Sequence, residues 1–435
     1  MINQINYSKS KYNIFVPYNE SEFIIYNSLS GSIGKFDLET YKRYKENQLK
    51  ESEIDKLLEK GILIPDSFDE LNKIHNDRLC GILNDTIKHY RIWPTSACNA
   101  KCYYCFEKGV KQESMSKDVA DATINFIERG VSNKDTIKIE WFGGEPLLNI
   151  DIIDYFYLKL KNIRRKKDNS IYTTMITNGS LINTELSKKI KDMWDLKLIQ
   201  ITLDGYGDAY DRVKNYSNPH KFNFKNTIDS IELLANSDIH ITIRMNYDTN
   251  NFESLIELIN FLHYKFAEYK NISYYIYPVW SSIEQNRSNS FLSTTIADKN
   301  LLSLFDLLVK YGMSTPKKVA GLTYKKYACQ AWSKNSYTIL PNGDISKCAE
   351  SYNRVIGNVW DGVINQEEYA FWINNTLNDS CTECIYLPIC QGGCKASFFS
   401  RMPQCFALKP IFNDLLIWYV KHMDSRIYLQ NQNKI

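Results

Sequence analysis

Apolar and polar positions change their rhythm three times along this chain. Residues 12–37 carry short apolar runs, YNIFVPYN, EFIIYNSL and SIGKFD, with a turn signal at Ser30-Gly31, and these predict three strands. Helical spacing follows in LETYKRYKEN and SEIDKLLEKG, then the apolar run ILIP. A third helix is expected after Asp66, with Asp66 or Ser67 as its N-cap. From about 88 to 312 strands and helices alternate. The strands are HYRIWPT, TIKIEWF, YTTMITN, KLIQITL, HITIRMN and SYYIYPVW. Between them run amphipathic segments such as KDVADATINFIERG, IIDYFYLKLKNI, LSKKIKDMW and FESLIELINFLHYKF. Beyond 320 the alternation stops. SYTILPNGDISKC reads as a hairpin about Asn342-Gly343, and IFNDLLIWYVKHM as a closing helix.

Six β–α repeats imply a parallel sheet with crossover helices, an α/β fold built on a partial (β/α)6 TIM-like barrel. In such barrels ligands gather at the C-terminal ends of the strands. Polar groups recur at those ends: a cysteine loop after the first strand, then Gly143-Gly144-Glu145-Pro146, Thr177-Asn178-Gly179-Ser180, Asp204-Gly205 and Arg244-Met245-Asn246.

Composition narrows the setting. The 435 residues correspond to two or three domains at about 150 residues each. A net charge of +3 gives no sign of nucleic-acid or membrane partners. No apolar span reaches the ~18 residues of a membrane helix, and MINQINYSKSKYN has no apolar core of a signal peptide. Eleven cysteines, an odd number with C-x2-C spacing, argue against a disulfide framework and for reduced thiols in a cytoplasmic protein.

Ten of those cysteines form two sets. Cys98, Cys102 and Cys105 lie in CNAKCYYCFE; Cys329, Cys348, Cys381, Cys384, Cys390, Cys394 and Cys405 lie toward the C-terminus. Soft thiolates so close in sequence point to metal or iron–sulfur sites. Such sites would also stabilise the tail CTECIYLPICQGGCKASFFSRMPQC, which has too little apolar pattern for a core of its own. A zinc site is the simpler alternative for either set. Cys80 stands apart and reads as a small buried hydrophobe.

The C-x3-C-x2-C run, with Tyr104 before its third cysteine, resembles the signature of radical S-adenosylmethionine (SAM) enzymes. The resemblance implies that three cysteines hold a 4Fe–4S cluster, that SAM binds its fourth iron, and that reductive cleavage yields a 5′-deoxyadenosyl radical. It also implies that Tyr104, Gly143, Gly144, Glu145, Pro146, Asn178, Ser180, Asp204 and Arg244 surround the cofactor, with Arg244 on its carboxylate. The seven C-terminal cysteines resemble the SPASM domain of radical enzymes that modify peptides and proteins. By that resemblance Cys381, Cys384, Cys390 and Cys405 hold a distal auxiliary cluster, and Cys329, Cys348 and Cys394 a proximal one. Some relatives have a further cysteine between the positions of Cys329 and Cys348. Here AWSKNSYTILPNGDISK contains none, so the proximal set lacks a fourth thiol. Water, a backbone group, a carboxylate, Cys80 or a substrate thiolate could fill the place.

The expected organisation is a winged-helix-like peptide-recognition domain over 1–80, a radical SAM barrel over 81–318, and a SPASM domain with the closing helix over 319–435. The function implied is crosslinking of a ribosomally made peptide through a thioether, carbon–carbon or carbon–oxygen bond. Its leader peptide would bind the N-terminal sheet. The expected cofactors are three 4Fe–4S clusters and SAM. The expected partners are the precursor peptide and a reductase, flavodoxin or ferredoxin as electron donor. Oxygen-sensitive clusters fit an anaerobic host. The alternatives are an anaerobic sulfatase-maturing enzyme and, outside enzymes, an iron–sulfur electron carrier.

Overall fold

A computed structural model describes residues 6–237, 239–279, 297–327, 329–396 and 405–432. Strands β1 (Tyr7–Lys9), β2 (Asn13–Pro17), β3 (Glu22–Asn27), β4 (Ile33–Asp37) and β5 (Leu63–Pro65) form two small antiparallel sheets, β1 with β5 and β2-β3-β4 in order. Helices α1 (Leu38–Glu46), α2 (Glu51–Glu59) and α3 (Glu70–Ile82) accompany them. The period of two in β3 splits its side chains between two cores. Ile25 packs with Phe36, Tyr44, Leu57 and Ile62 of the N-terminal segment. Ile24 and Tyr26 join the main core, where Tyr26 meets Phe412 of the closing helix Phe412–Gln432 at a ring separation of 6.0 Å.

The N-cap of α3 is Asp69, which accepts from the Asn72 amide, and not Asp66 or Ser67. The β1–β5 pairing explains the shift. It holds the chain extended to Pro65, and Asp66 stays with it, donating its amide to the Asn6 carbonyl at 3.1 Å. The ILIP run therefore belongs to a strand whose partner lies more than fifty residues upstream.

The barrel strands are β6 (Ile87–Ile92), β7 (Thr136–Trp141), β8 (Ser170–Thr177), β9 (Leu196–Thr202), β10 (His240–Tyr247) and β11 (Ile272–Pro278), parallel and adjacent in chain order. Of the expected strand SYYIYPVW, Trp280 lies outside the described residues. Alternation sorts each strand. Tyr90 turns toward the helix Lys117–Gly130, meeting Phe126 at 6.2 Å, while its neighbours His89 and Arg91 take the opposite face. That concave face carries charge and hydroxyls instead of an apolar fill: Arg91 pairs with Glu140, and Tyr275 donates to Gln200 at 2.8 Å.

Strands β12 (Ser336–Ile339), β13 (Asp344–Ser346), β14 (Val355–Asn358) and β15 (Gly362–Val363) follow. The expected hairpin is β12–β13, with Gly343 at φ +88°. It does not stand apart from the barrel. β12 pairs in parallel with β6, Thr338 opposite Arg91, so one sheet of ten strands runs β11-β10-β9-β8-β7-β6-β12-β13-β14-β15. This brings the loop after β13, which carries Cys348, beside the first barrel strand. Among the described residues no helix is long and apolar enough to cross a membrane.

Candidate active site

The loop leaving β6 carries Cys98, Cys102 and Cys105, and the ends of the next strands grip it. Gly144 donates its amide to the Thr95 carbonyl at 3.2 Å, and Glu145 to the Ala97 carbonyl at 2.8 Å. A Cβ on Gly144 would stand 2.2 Å from the Ala97 oxygen, and one on Gly143 2.5 Å from the Thr95 oxygen. The close approach these glycines permit is therefore to the cysteine loop itself. Glu145 has no exposed surface. Its carboxylate accepts from Thr177 Oγ1 at 2.7 Å and from the amides of Asn178 and Leu147 at 2.8 and 3.1 Å. The carboxylate thus braces the site from behind, committed to partners inside the fold.

The remaining motifs act in the same way. Asn178 Nδ2 donates to Asn99 Oδ1 at 2.8 Å, and Asn99 Nδ2 donates to Ser180 Oγ at 2.9 Å, clamping the residue after Cys98. The Tyr104 hydroxyl donates to Asp204 Oδ2 at 2.7 Å, and Asn246 Nδ2 to Asp204 Oδ1 at 2.8 Å. Asp204, 1 % exposed, also pairs with Lys214, 3 % exposed, at 2.8 Å. Although burial opposes it, Asp204, Tyr104 and Cys102 hold the Lys214 ammonium charged well above its ordinary range. Lys214 escapes sequence reasoning because no motif marks it. Its only signal is a basic residue ten positions after Asp204.

Arg244 does not join this loop. Its Nε donates to Asn246 Oδ1 at 2.8 Å, and its guanidinium lies 5.4 Å from the Tyr277 ring centre. Its charge, with that of Arg91, acts on Glu350, whose carboxyl burial pushes above its usual range. Glu350 follows Cys348 by two residues, so Arg91, Glu140, Arg244 and Glu350 make a second polar cluster beside the C-terminal cysteines. An aromatic cluster joins this region to the first loop. Ala349 packs with Trp93, and Phe106, the neighbour of Cys105, stacks on Phe142, the neighbour of Gly143, at 6.2 Å.

Electrostatic neighbourhood sorts the ten cysteines into three sets. Burial, Glu145, Cys102 and Cys105 push the Cys98 thiol up to about 12. Burial, Glu350, Cys329 and Cys394 do the same for Cys348. Burial, Cys384 and Cys405 raise Cys381; burial, Cys405 and Cys381 raise Cys390. Among the described residues no three His, Cys, Asp or Glu side chains could hold a single metal ion together. Cys80 is exposed. It lines a cavity of about 270 Å³ with His89, Tyr327 and Gln330, so the expectation of a buried cysteine does not hold.

Residues 92–262 match the family model described as the Radical SAM superfamily. Those residues form a radical SAM domain. The chain is 23 % identical to the radical SAM cyclopropyl synthase TigE of Paramaledivibacter caminithermalis, over 91 % of this chain and 90 % of that one. It is 22 % identical to a cysteine-type anaerobic sulfatase-maturating enzyme of Clostridium novyi, over 71 % and 88 %. Among solved structures it resembles anSMEcpe with bound AdoMet, with TM-score 0.57, 17 % identity and coverage of 80 % and 100 %. It also resembles Streptococcus suis SuiB bound to precursor peptide SuiA, with TM-score 0.52, 17 % identity and coverage of 92 % and 99 %. The likeness to these solved structures is one of fold. A radical SAM domain implies one 4Fe–4S cluster and SAM, and the thiol trio on the β6 loop suits that cluster. Buried thiols that burden one another need bound positive charge to ionise.

Proposed function

We propose that this enzyme matures a peptide, removing two hydrogens and closing one new bond within it. The observation that carries the reading is the cluster of Trp93, Phe106, Phe142 and Ala349, which joins the loop of Cys98, Cys102 and Cys105 to the segment after Cys348, whose thiol neighbours are Cys329 and Cys394. In this reading Cys98, Cys102 and Cys105 hold the SAM-binding cluster. Cys329, Cys348 and Cys394 hold the proximal auxiliary cluster, and Cys381, Cys384, Cys390 and Cys405 the distal one, as in a SPASM domain. When bound, SAM and its cluster supply a radical that takes a hydrogen atom from the substrate. The second hydrogen would leave as a proton to a nearby base, for which Glu350 is the candidate, and as an electron to an auxiliary group. An external reductase, flavodoxin or ferredoxin supplies the initiating electron.

The chain's own residues prepare the site. Asn178, Ser180 and Asp204 fix the cysteine loop through Asn99 and Tyr104, and Lys214 offers a buried cation beside it. Glu350, Arg91 and Arg244 face the peptide. Replacing Glu350 by Gln is expected to leave 5′-deoxyadenosine formation intact while peptide modification falls at least ~10-fold, the usual scale for losing a positioned acid–base group. Equal loss of both would remove Glu350 from the substrate side.

Similarity along nearly the whole chain to a cyclopropyl synthase favours a carbon–carbon bond over a thioether. The test is anaerobic incubation with SAM, a reductant and candidate precursor peptides encoded by the neighbouring genes. The expected product is two hydrogens lighter, and the loss persists when every substrate cysteine is replaced by Ala. Disappearance of the loss with those cysteines would establish the thioether instead. An aldehyde formed on a sulfatase peptide would establish the sulfatase-maturing reading.

Peptide recognition falls to the N-terminal sheet. Strand β4 is an edge of β2-β3-β4, and an extended leader can add to it through main-chain bonds. Hydrogen exchange at residues 33–37 is expected to slow when the full-length precursor is added. Unchanged exchange there, with protection elsewhere, would move the leader site.

A further inference from the structure

Arg78 lies on α3, an element of the N-terminal segment, yet it is fully buried in the C-terminal cysteine region. Its Nε donates to Asn375 Oδ1 at 3.0 Å, its Nη1 donates to the Gln391 carbonyl, and its guanidinium lies 4.6 Å from the Trp332 ring centre. Nη2 is buried and has no hydrogen-bond partner among the described residues. An unmade buried donor is costly, the more so when charged, so a chain that carries one needs a reason. Burial lowers the Arg78 pKa only to about 10, so it is a cation at neutral pH. Cys381, Tyr324 and Cys390 act against that lowering, and Arg78 in turn, second to burial, lowers the pKa of Lys395, which lies over the same Trp332 ring. Gln391, the partner of Arg78, directly follows Cys390, and Cys381 packs in the same small cluster as Ile74, one turn before Arg78 on α3.

We propose that Arg78 donates from Nη2 to the distal iron–sulfur group held by Cys381, Cys384, Cys390 and Cys405, and sets the potential at which that group takes an electron. The inference rests on the assignment of that group above. Hydrogen bonds to cluster sulfurs, net charge and solvent exposure set such potentials. A reduced cluster is the more negative one, and a cation in a low-dielectric site favours it more than it would in water. Lys409 donates to Cys405 Sγ at 3.3 Å from the exposed side, so Arg78 is the buried counterpart. The segment proposed to read the leader thus reaches the electron path through a buried side chain.

The test uses the full chain with Cys98, Cys102 and Cys105 replaced by Ala, so that only auxiliary groups remain. Reconstituted anaerobically, this parent is expected to hold about 8 Fe. Redox titration followed by electron paramagnetic resonance then compares it with the same chain carrying R78K or R78M. In R78M the potential of one group is expected to fall while the other stays. R78K, which keeps the charge but loses the fork, falls between. Potentials of both groups unchanged in both variants at full iron would overturn the proposal. If R78M does not retain its iron, R78K decides alone, and a potential equal to the parent's overturns it. A parent with about 4 Fe or fewer would overturn the two-group assignment itself, and would do so before any Arg78 variant is measured.

Discussion

Replacing Cys98, Cys102 and Cys105 together by Ala is expected to abolish 5′-deoxyadenosine formation and to lower iron from about 12 to about 8 atoms per chain. The loss is all-or-none because these thiols are the only cysteines on the β6 loop, and the ends of β7, β8 and β9 serve to hold that loop. The iron count separates the sets. The C-terminal cysteines burden one another and not the first loop, so their iron should survive. Iron analysis and chromatography of the SAM digest check both halves. A variant that still made 5′-deoxyadenosine would remove the cluster from this loop. A wild-type count near 4 with bound zinc would remove the auxiliary clusters.

The second large effect is expected at Lys214. Lys214→Met leaves Asp204 buried and charged, with only Tyr104 and Asn246 to satisfy it. Breaking a buried pair by removing one partner costs about 3–5 kcal/mol, because the remaining charge is uncompensated. Tyr104 then loses its fixed acceptor, and the cysteine loop its seat, so SAM cleavage should collapse along with the melting temperature. The double variant Lys214→Met, Asp204→Asn removes the stranded charge and should recover most of the melting temperature. It should not recover SAM cleavage, since the buried ammonium is still missing. A single variant that melts like the wild type would show that the pair is not a buried charge pair at all.

The electrostatic sorting of the cysteines concerns neighbourhood alone and leaves both the ligand sets and the iron content to the measurement above. It has a simple origin, since most members of each set are separated by fewer than twenty residues and short loops limit where their thiols can go. Cys329 and Cys348 flank one hairpin, and Cys381, Cys384 and Cys390 span two short helical turns. Only Cys394 and Cys405, on either side of residues 397–404, must be assigned across a longer segment.

Local pattern determined a good deal here. The six parallel strands, the three N-terminal strands, the Asn342-Gly343 hairpin and the cysteine loop all follow from periodicity and turn chemistry, which act over a few residues. What tertiary structure decided involves partners far apart in sequence. β5 exists because β1 pairs with it, and that displaced the α3 cap to Asp69. β12 extends the barrel sheet in parallel with β6, so the C-terminal region continues the barrel instead of forming a separate layer. The strand-end motifs were legible as a site, but their hydrogen bonds turn inward to Asn99 and Tyr104. Lys214, Glu350 and Arg78 carry no local signal at all. An isolated Lys, Glu or Arg reads as surface, and it becomes a buried or cavity-facing charge only when distant elements close over it and supply the partners that repay its desolvation.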